Sequence, residues 1–436
     1  MGTVSLALVA LLAFLLGTGV WICLGLLGTG VGLLTLFRPQ MPIEKLLAQQ
    51  AWNASTSMEL LALPLFILMA EILFHTKVAE SLFNGLAPWT RRLPGRMSHV
   101  TVLASTLFAA VSGSSAATTS TVGRITAREL IAKGYDRSLV TGSLAGAGTL
   151  GFLIPPSTIM IIYGVLAEES ILKLFMAGIV PGALLALSYM LYLAIRATLN
   201  PSLVGAPPPP SSFREKLATL RGEGLAPLLL LIVCVVGSMY GGIASPTEAA
   251  SVGVLGSLLL GVYQRALSWR TLGQALFHAA QTCSMIGFII IGAMFLSVGL
   301  GYLGLPRFVA ATIQGLHLSP FTLILALLAF YVILGCFMEG MSCIVMTLPI
   351  TLPLVLAAGY DKIWFGIFLV LVVELAQITP PVGFNLIVIQ RLIGGRIGPI
   401  ARAALPFFLI TATFTLLLAV FPGIVSWLPD LLASRS

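Results

Sequence analysis

Two pairs of adjacent prolines, Pro155-Pro156 and Pro380-Pro381, stand inside long apolar runs and define the chemistry open to this chain. Adjacent prolines remove two backbone donors and free the carbonyls of the preceding turn, at roughly 3 kcal/mol or more inside a helix. In hydrocarbon a freed carbonyl needs a partner, and a bound cation is a fitting one. A hard monovalent cation such as sodium favours oxygen. Oxygen is what these stretches offer, in the backbone of Leu153-Ile154-Pro155-Pro156-Ser157 and Ile378-Thr379-Pro380-Pro381-Val382 and in the hydroxyls of Ser112, Ser114, Ser115, Ser342 and Thr379. The helix N-termini that such breaks create suit an anionic substrate. Glu339, Glu374 and Asn385 add two carboxylates and an amide, and an intramembrane carboxylate points to function by default. For Glu374 and Asn385 a purely structural hydrogen-bonding role carries equal weight.

The breaks belong to a repeat. Gly134-Tyr135-Asp136 precedes the first pair by 21 residues, and Gly359-Tyr360-Asp361 precedes the second by the same 21, at an offset of 225. Laying 124–181 over 349–406 without a gap gives 12 identities in 58 positions. Duplicated halves with interrupted helices are the pattern of a secondary transporter.

The elements that must position these residues lie in a bilayer. Of the 436 residues 58% are hydrophobic and 9% charged, too few charges for a soluble domain of this length. The chain therefore reads as an all-α polytopic membrane protein. Its 23 Lys+Arg against 15 Asp+Glu give a net charge of +8, a topology signal in cytoplasmic loops; nucleic-acid binding is the poor reading. Five cysteines sit in apolar runs without a C-x-x-C pair, and His75, His99, His278 and His317 show no ligand spacing, so no transition-metal site is expected.

Charge sets the orientation. Residues 98–123 contain no Lys, Arg, Asp or Glu, long enough for one crossing, yet both flanks are basic (Arg91, Arg92, Arg96; Arg124, Arg128, Lys133, Arg137). If basic loops stay cytoplasmic, the segment enters and returns on one side as a re-entrant hairpin, tipped by the small polar run from Ser112, Gly113, Ser114 and Ser115 to Ser120. The equivalent loops of the second half hold only Lys362, so a second hairpin over about 321–359, with Glu339, Gly340 and Ser342 at its tip, opens to the other side. The repeat is thus expected to be inverted. The expected organisation is scaffold spans over 1–75, an interfacial connector over 76–97 and a first repeat core over 98–199. A cytoplasmic linker with Pro207 to Pro210 occupies 200–224; scaffold spans fill 225–304, a second connector 305–320 and the second core 321–428. The run from Val4 to Phe37 fits one long tilted helix or two short ones. Ser245-Pro246-Thr247-Glu248 reads as a capping box.

At these motifs the chain resembles a family. Val111-Ser112-Gly113-Ser114-Ser115-Ala116-Ala117, Gly134-Tyr135-Asp136, Ile154-Pro155-Pro156-Ser157, Pro246-Thr247-Glu248-Ala249-Ala250 and Ile378-Thr379-Pro380-Pro381-Val382-Gly383-Phe384-Asn385 look like the large membrane subunit of tripartite ATP-independent periplasmic (TRAP) transporters. The resemblance covers nearly the whole chain in order. It implies sodium-driven uptake of a small organic anion across the bacterial inner membrane, delivered by a periplasmic substrate-binding protein. It also implies a small four-helix membrane subunit as a separate chain, and an elevator-type fold in which a unit carrying both hairpins slides against a scaffold. In that family the hairpin tips and broken helices bind sodium and border the substrate, a role carried here to Ser112, Gly113, Ser114, Ser115, Ile154, Pro155, Pro156, Ser157, Thr379, Pro380, Pro381 and Asn385. No organic cofactor is implied. Two departures stand out: Met338-Glu339-Gly340-Met341-Ser342 replaces an Asp-Gly followed by small residues, and Gly17-Thr18-Gly19-Val20-Trp21 lacks the usual Gly-x-Pro. The alternatives are a stand-alone inverted-repeat ion or anion transporter, a channel, and an intramembrane hydrolase. For the last, no His or Lys lies at an obvious pairing position to activate a serine.

Overall fold

A computed structural model of the chain describes residues 2–206, 212–221, 225–315 and 319–433. The Pro207 to Pro210 run and His317 lie outside them. Among the described residues all regular structure is helical, as hydrocarbon demands of a chain that must satisfy its own backbone donors.

The N-terminal apolar run forms two helices, α1 (Gly2–Gly17) and α2 (Ile22–Phe37), separated by a turn in which Gly19 takes φ +79°. They pack antiparallel, with Gly25, Gly28 and Gly32 of α2 against Leu16, Leu15 and Leu11 of α1. Next come α3 (Ile43–Thr56), α4 (Ala62–Phe74) and α5 (Val78–Thr90). The first hairpin is α6 (Ser98–Ser112) and α7 (Ser115–Ala132). Its second arm runs past the expected end at 123, because 124–132 has no helix breaker until Gly134. The broken helix is α8 (Arg137–Gly148), a short 3₁₀ turn, the Pro155-Pro156 segment and α9 (Thr158–Ala167); α10 (Ile171–Leu199) returns. A short α11 (Phe213–Arg221), α12 (Leu225–Tyr240), α13 (Pro246–Tyr263) and the 34-residue α14 (Trp269–Tyr302) follow. The connector holds α15 (Leu305–Gly315). The second half then repeats the first: hairpin α16 (Pro320–Gly335) and α17 (Gly340–Ala357), broken helix α18 (Lys362–Gln377) and α19 (Phe384–Ile393), and return span α20 (Ile397–Val420), before a short α21 (Gly423–Ala433).

Local rules explain the duplicated cassette. In each half the hairpin closes on a glycine in the left-handed region, Gly134 at φ +79° and Gly359 at φ +89°. The next amide reaches five residues back, Tyr135 N–H to Leu130 O at 3.1 Å and Tyr360 N–H to Val355 O at 3.2 Å, the Schellman arrangement. The aspartate then caps the following helix, Asp136 Oδ1 accepting from Leu139 N and Asp361 Oδ1 from Trp364 N. Stop, turn and start are encoded in three residues. The predicted capping box is present as well: Glu248 N–H donates to Ser245 Oγ at 3.3 Å, and Ser245 N–H to Glu248 Oε2 at 2.8 Å.

Packing shows that the repeats are inverted. α9 continues α8 beyond the break, so it lies past the tip of the first hairpin, and there it packs on α17 of the second. Reciprocally, α19 packs on α7 of the first hairpin. The hairpin bases carry the same crossing. Arg137, at the start of α8, donates to the carbonyls of Ile393 at 2.5 Å and Gly394 at 3.3 Å. Lys362, its equivalent one repeat on, donates to Ala167 O at 3.1 Å, at the end of α9. Each hairpin base therefore sits beside the outer half of the other repeat's broken helix. The two hairpins enter from opposite faces.

The hairpins, broken helices and return spans pack on one another, with the glycines of α8 bringing α20 close: Cβ atoms at Gly142 and Gly146 would meet Ala403 O at 2.3 Å and the Phe407 ring at 2.2 Å. A second group gathers α2, α3, α4 and α13 around α12 and α14. α5 lies against α6, and α15 against α17. Among the described residues, four helices are long and apolar enough to cross a bilayer alone (α10, α14, α17, α20), and α3–α4 join through a 56° bend. The remaining apolar helices are shorter, as expected where two half-helices share one crossing.

Candidate functional site

Four helix N-termini gather where the hairpin tips meet the proline breaks. In the first hairpin the chain turns at Gly113, in the left-handed region at φ +57°. Its carbonyl accepts from Thr158 N at 3.3 Å and Thr158 Oγ1 at 2.8 Å, tying the tip to the start of α9. A Cβ at Gly113 would lie 2.7 Å from Pro156 O, so glycine is required twice over. Ser112 is buried, with its hydroxyl 2.9 Å from that of Thr118. Ser114 caps α7, accepting from Ala117 N at 3.4 Å, and Ser157 caps α9, accepting from Met160 N at 3.4 Å. Ile154, Pro155 and Pro156 fill the interval, the prolines buried and Ile154 half-buried.

Ser115 is fully buried and forms the junction of the site. Its Oγ lies 2.9 Å from Gly148 O, 2.9 Å from Glu374 Oε2 and 2.8 Å from Asn385 Nδ2. Glu374, 1% exposed at the end of α18, accepts Phe152 N–H at 3.0 Å with its other oxygen. One carboxylate thus joins the first tip, the first break and the helix leading into the second break. Gly151 lets these backbones meet, since a Cβ there would fall 2.5 Å from Ser115 Cα. A buried carboxylate held by two donors is costly to leave unpaired, and both donors come from the opposite repeat.

The second tip differs. Glu339 takes the capping position of α17, its Oε2 accepting from Met341 N at 3.1 Å and Ser342 N at 3.4 Å, with the Ser342 hydroxyl at 3.5 Å. Gly340 is packed under Val373, and Gln377 Nε2 would stand 3.0 Å from a Cβ there. The Thr379 hydroxyl donates to Leu375 O at 2.6 Å, closing the last turn of α18. Pro380, Pro381 and Val382 are exposed, whereas Pro155, Pro156 and Ser157 of the first break are buried. The two breaks are alike in backbone and unlike in access.

Of the four N-termini, α7, α9 and α17 are capped by side-chain oxygens, while α19 begins at Gly383 with no side-chain cap, beside the exposed Val382 and Phe384. Asn385 Oδ1, Gln377 Oε1 and Thr119 Oγ1 are buried acceptors with no hydrogen-bond partner. An oxygen-rich surround and an uncapped helix start together suit a hard cation beside an anion.

Sequence reasoning singled out Ser115, Glu374 and Asn385 separately. That they touch was not readable, nor was the part played by Phe152 N–H, Thr158 or Gln377. Gly151 could have been found from its place just before a proline break.

Comparison with known proteins places the whole chain. The family model for the DctM component of the tripartite ATP-independent periplasmic transporters matches residues 7–424. The C4-dicarboxylate TRAP transporter large permease protein DctM of Pseudomonas aeruginosa is 34% identical, over 92% of this chain and 93% of the relative. The ectoine/5-hydroxyectoine TRAP transporter large permease protein UehC of Ruegeria pomeroyi is 31% identical, over 99% of each. Among solved structures, the YdaH transporter of Alcanivorax borkumensis, described as having an unusual topology, aligns with a TM-score of 0.65 at 15% identity, over 92% of this chain and 97% of that one.

Proposed function

This chain belongs to the DctM-component family of tripartite ATP-independent periplasmic transporters, and from that premise we propose that it is a sodium-coupled permease for a small organic anion bearing a carboxylate. The observation that carries the reading is the uncapped N-terminus of α19 at an exposed break, with the buried Asn385 Oδ1 of its first turn left without a donor. The substrate carboxylate meets the uncapped start of α19 at the exposed Phe384. Sodium, travelling as co-substrate, is held by backbone oxygens of the tips and breaks around Ser112–Ser115, Ile154–Ser157, Glu339–Ser342 and Thr379–Asn385. Its charge supplies the attraction that draws the anion into the site. The C4-dicarboxylate and the ectoine after which two relatives are named each carry a carboxylate.

The packing supports an elevator. Hairpins, broken helices, α10 and α20 form the moving unit; α1–α4 and α12–α14 form the scaffold; α5 and α15 link them as connectors. The partners are a small four-helix membrane subunit and a periplasmic binding protein that presents the substrate, in the bacterial inner membrane.

The test is uptake of labelled organic acids into proteoliposomes holding this chain and its small subunit, with the binding protein outside. Uptake that needs an inward sodium gradient and the loaded binding protein supports the proposal. Uptake unchanged in potassium alone contradicts sodium coupling, and uptake at full rate without the binding protein assigns the chain to a stand-alone mode.

A further inference from the structure

A cavity of about 570 Å³ opens on the arginine-rich face, between the start of α8, the Gly394-Gly395 turn and the start of α20. That volume lies within the roughly 300–1,000 Å³ of ordinary ligand sites. Arg137, Arg396 and Arg402 line it. A cleft of about 130 Å³ shares Asp136, Ser138 and Arg402 with it and brings in Tyr192 and Arg196 from α10. Four guanidinium groups therefore converge from three helices, against one carboxylate. That carboxylate is occupied: Asp136 Oδ1 accepts Leu139 N–H at 2.9 Å as the cap of α8. The ion pairs among the described residues are Lys133–Glu129 and Lys362–Glu169, so none of the four arginines has an acidic partner.

Topology alone does not ask for this. A basic loop satisfies the charge rule wherever its residues point. Here Arg402, inside α20, lines both adjoining cavities, with Arg396 beside it in the larger and Arg196, in the last turn of α10, in the smaller. Like charges gathered without counter-charge repel one another, and an anion relieves that repulsion. Arg396 occupies the capping position of α20 and leaves its first amides without a side-chain acceptor, which adds to the positive potential. Along the bilayer from the cleft, α10 exposes Leu187, Leu191 and Ile195 at helical spacing, and α20 exposes Leu405 and Leu409. Cation above and apolar face below is the profile of a lipid.

We propose that this cleft binds the phosphate of an anionic lipid headgroup, with the acyl chains lying along the leucine faces of α10 and α20. Guanidinium groups pair with phosphate in a planar, two-pronged geometry that lysines cannot reproduce.

The test uses the full-length protein in detergent. Phosphatidylglycerol or phosphatidylethanolamine is added and bound lipid is counted by native mass spectrometry; in a parallel arm inorganic phosphate is titrated while thermal unfolding is followed. Preferential retention of phosphatidylglycerol is expected, falling roughly tenfold in Arg396→Ala/Arg402→Ala. Arg270→Ala, on α14, retains lipid as the unaltered protein does. Should the double variant not fold, Arg402→Gln alone lowers retention in the same direction. Stabilisation by inorganic phosphate that the alanine pair abolishes, without lipid preference, supports the phosphate site and assigns it a soluble source. Lipid retention equal in all variants, with no response to phosphate, overturns the proposal.

Discussion

At Ser115 one hydroxyl serves three neighbours, a carbonyl, a carboxylate and an amide, all within 2.9 Å. It has a single proton, so Gly148 O and Glu374 compete for it while Asn385 donates inward. Ser115→Ala leaves a buried carboxylate oxygen and a buried amide N–H short of a partner, at about 1–3 kcal/mol each. The expected result is a lowered melting temperature for the purified protein, and an unchanged one would remove Ser115 from the junction. Gly151→Ala asks a different question, because its Cβ would land 2.5 Å from Ser115 Cα and 2.6 Å from Ser115 N. Backbone atoms cannot step aside as a flexible side chain can, so the tip must lift from the break. Expression is expected to persist while uptake falls by up to about a hundredfold, the penalty of a 1 Å misplacement; uptake at the native rate would show that the contact is not needed. This junction was not legible in the sequence. Ser115 lies 259 residues from Glu374 and 270 from Asn385, and a contact made by side chains across repeats leaves no local pattern.

At the scale of elements, much more could be read. The Gly-Tyr-Asp cassette and the double prolines act through their own backbone, so their meaning survives without tertiary context. The extent of α7 and the division of the first apolar run did not follow, since a run of helix formers fixes no end point. The crossing of the repeats suggests a reciprocal experiment. Lys362 holds the end of α9 through Ala167 O at 3.1 Å and sits 3.8 Å from Glu169; Arg137 holds the end of α19. Each cation at a helix C-terminus contributes about 0.3–1 kcal/mol at the surface. Lys362→Met is expected to speed hydrogen exchange in the last turn of α9 and leave α19 unaffected, and Arg137→Met the reverse. If either variant loosened its own repeat's outer helix, the crossed arrangement would be wrong.

For the whole molecule, the inverted pair of hairpins brings two tips and two proline breaks together from opposite faces. Charge counts pointed to it, with four basic residues over 124–137 and only Lys362 over 349–362, and the contacts of α9 with α17 and α19 with α7 bear it out. The unequal access of the two breaks, buried around Pro155 and exposed around Pro380, had no trace in composition, because both are the same dipeptide in similar apolar runs. It depends on which helices cover them. Under the proposed transport function, symmetry in the backbone with asymmetry in access leaves the break at Pro380 open and the break at Pro155 closed. The most direct measurement places single cysteines at the equivalent exposed positions Ala132 and Ala357, in a background with Cys234 replaced, and labels intact cells and inside-out vesicles with a charged maleimide. Ala132→Cys should react only in inside-out vesicles and Ala357→Cys only in intact cells. Labelling of both from the same side would contradict the opposed hairpins and the site between them.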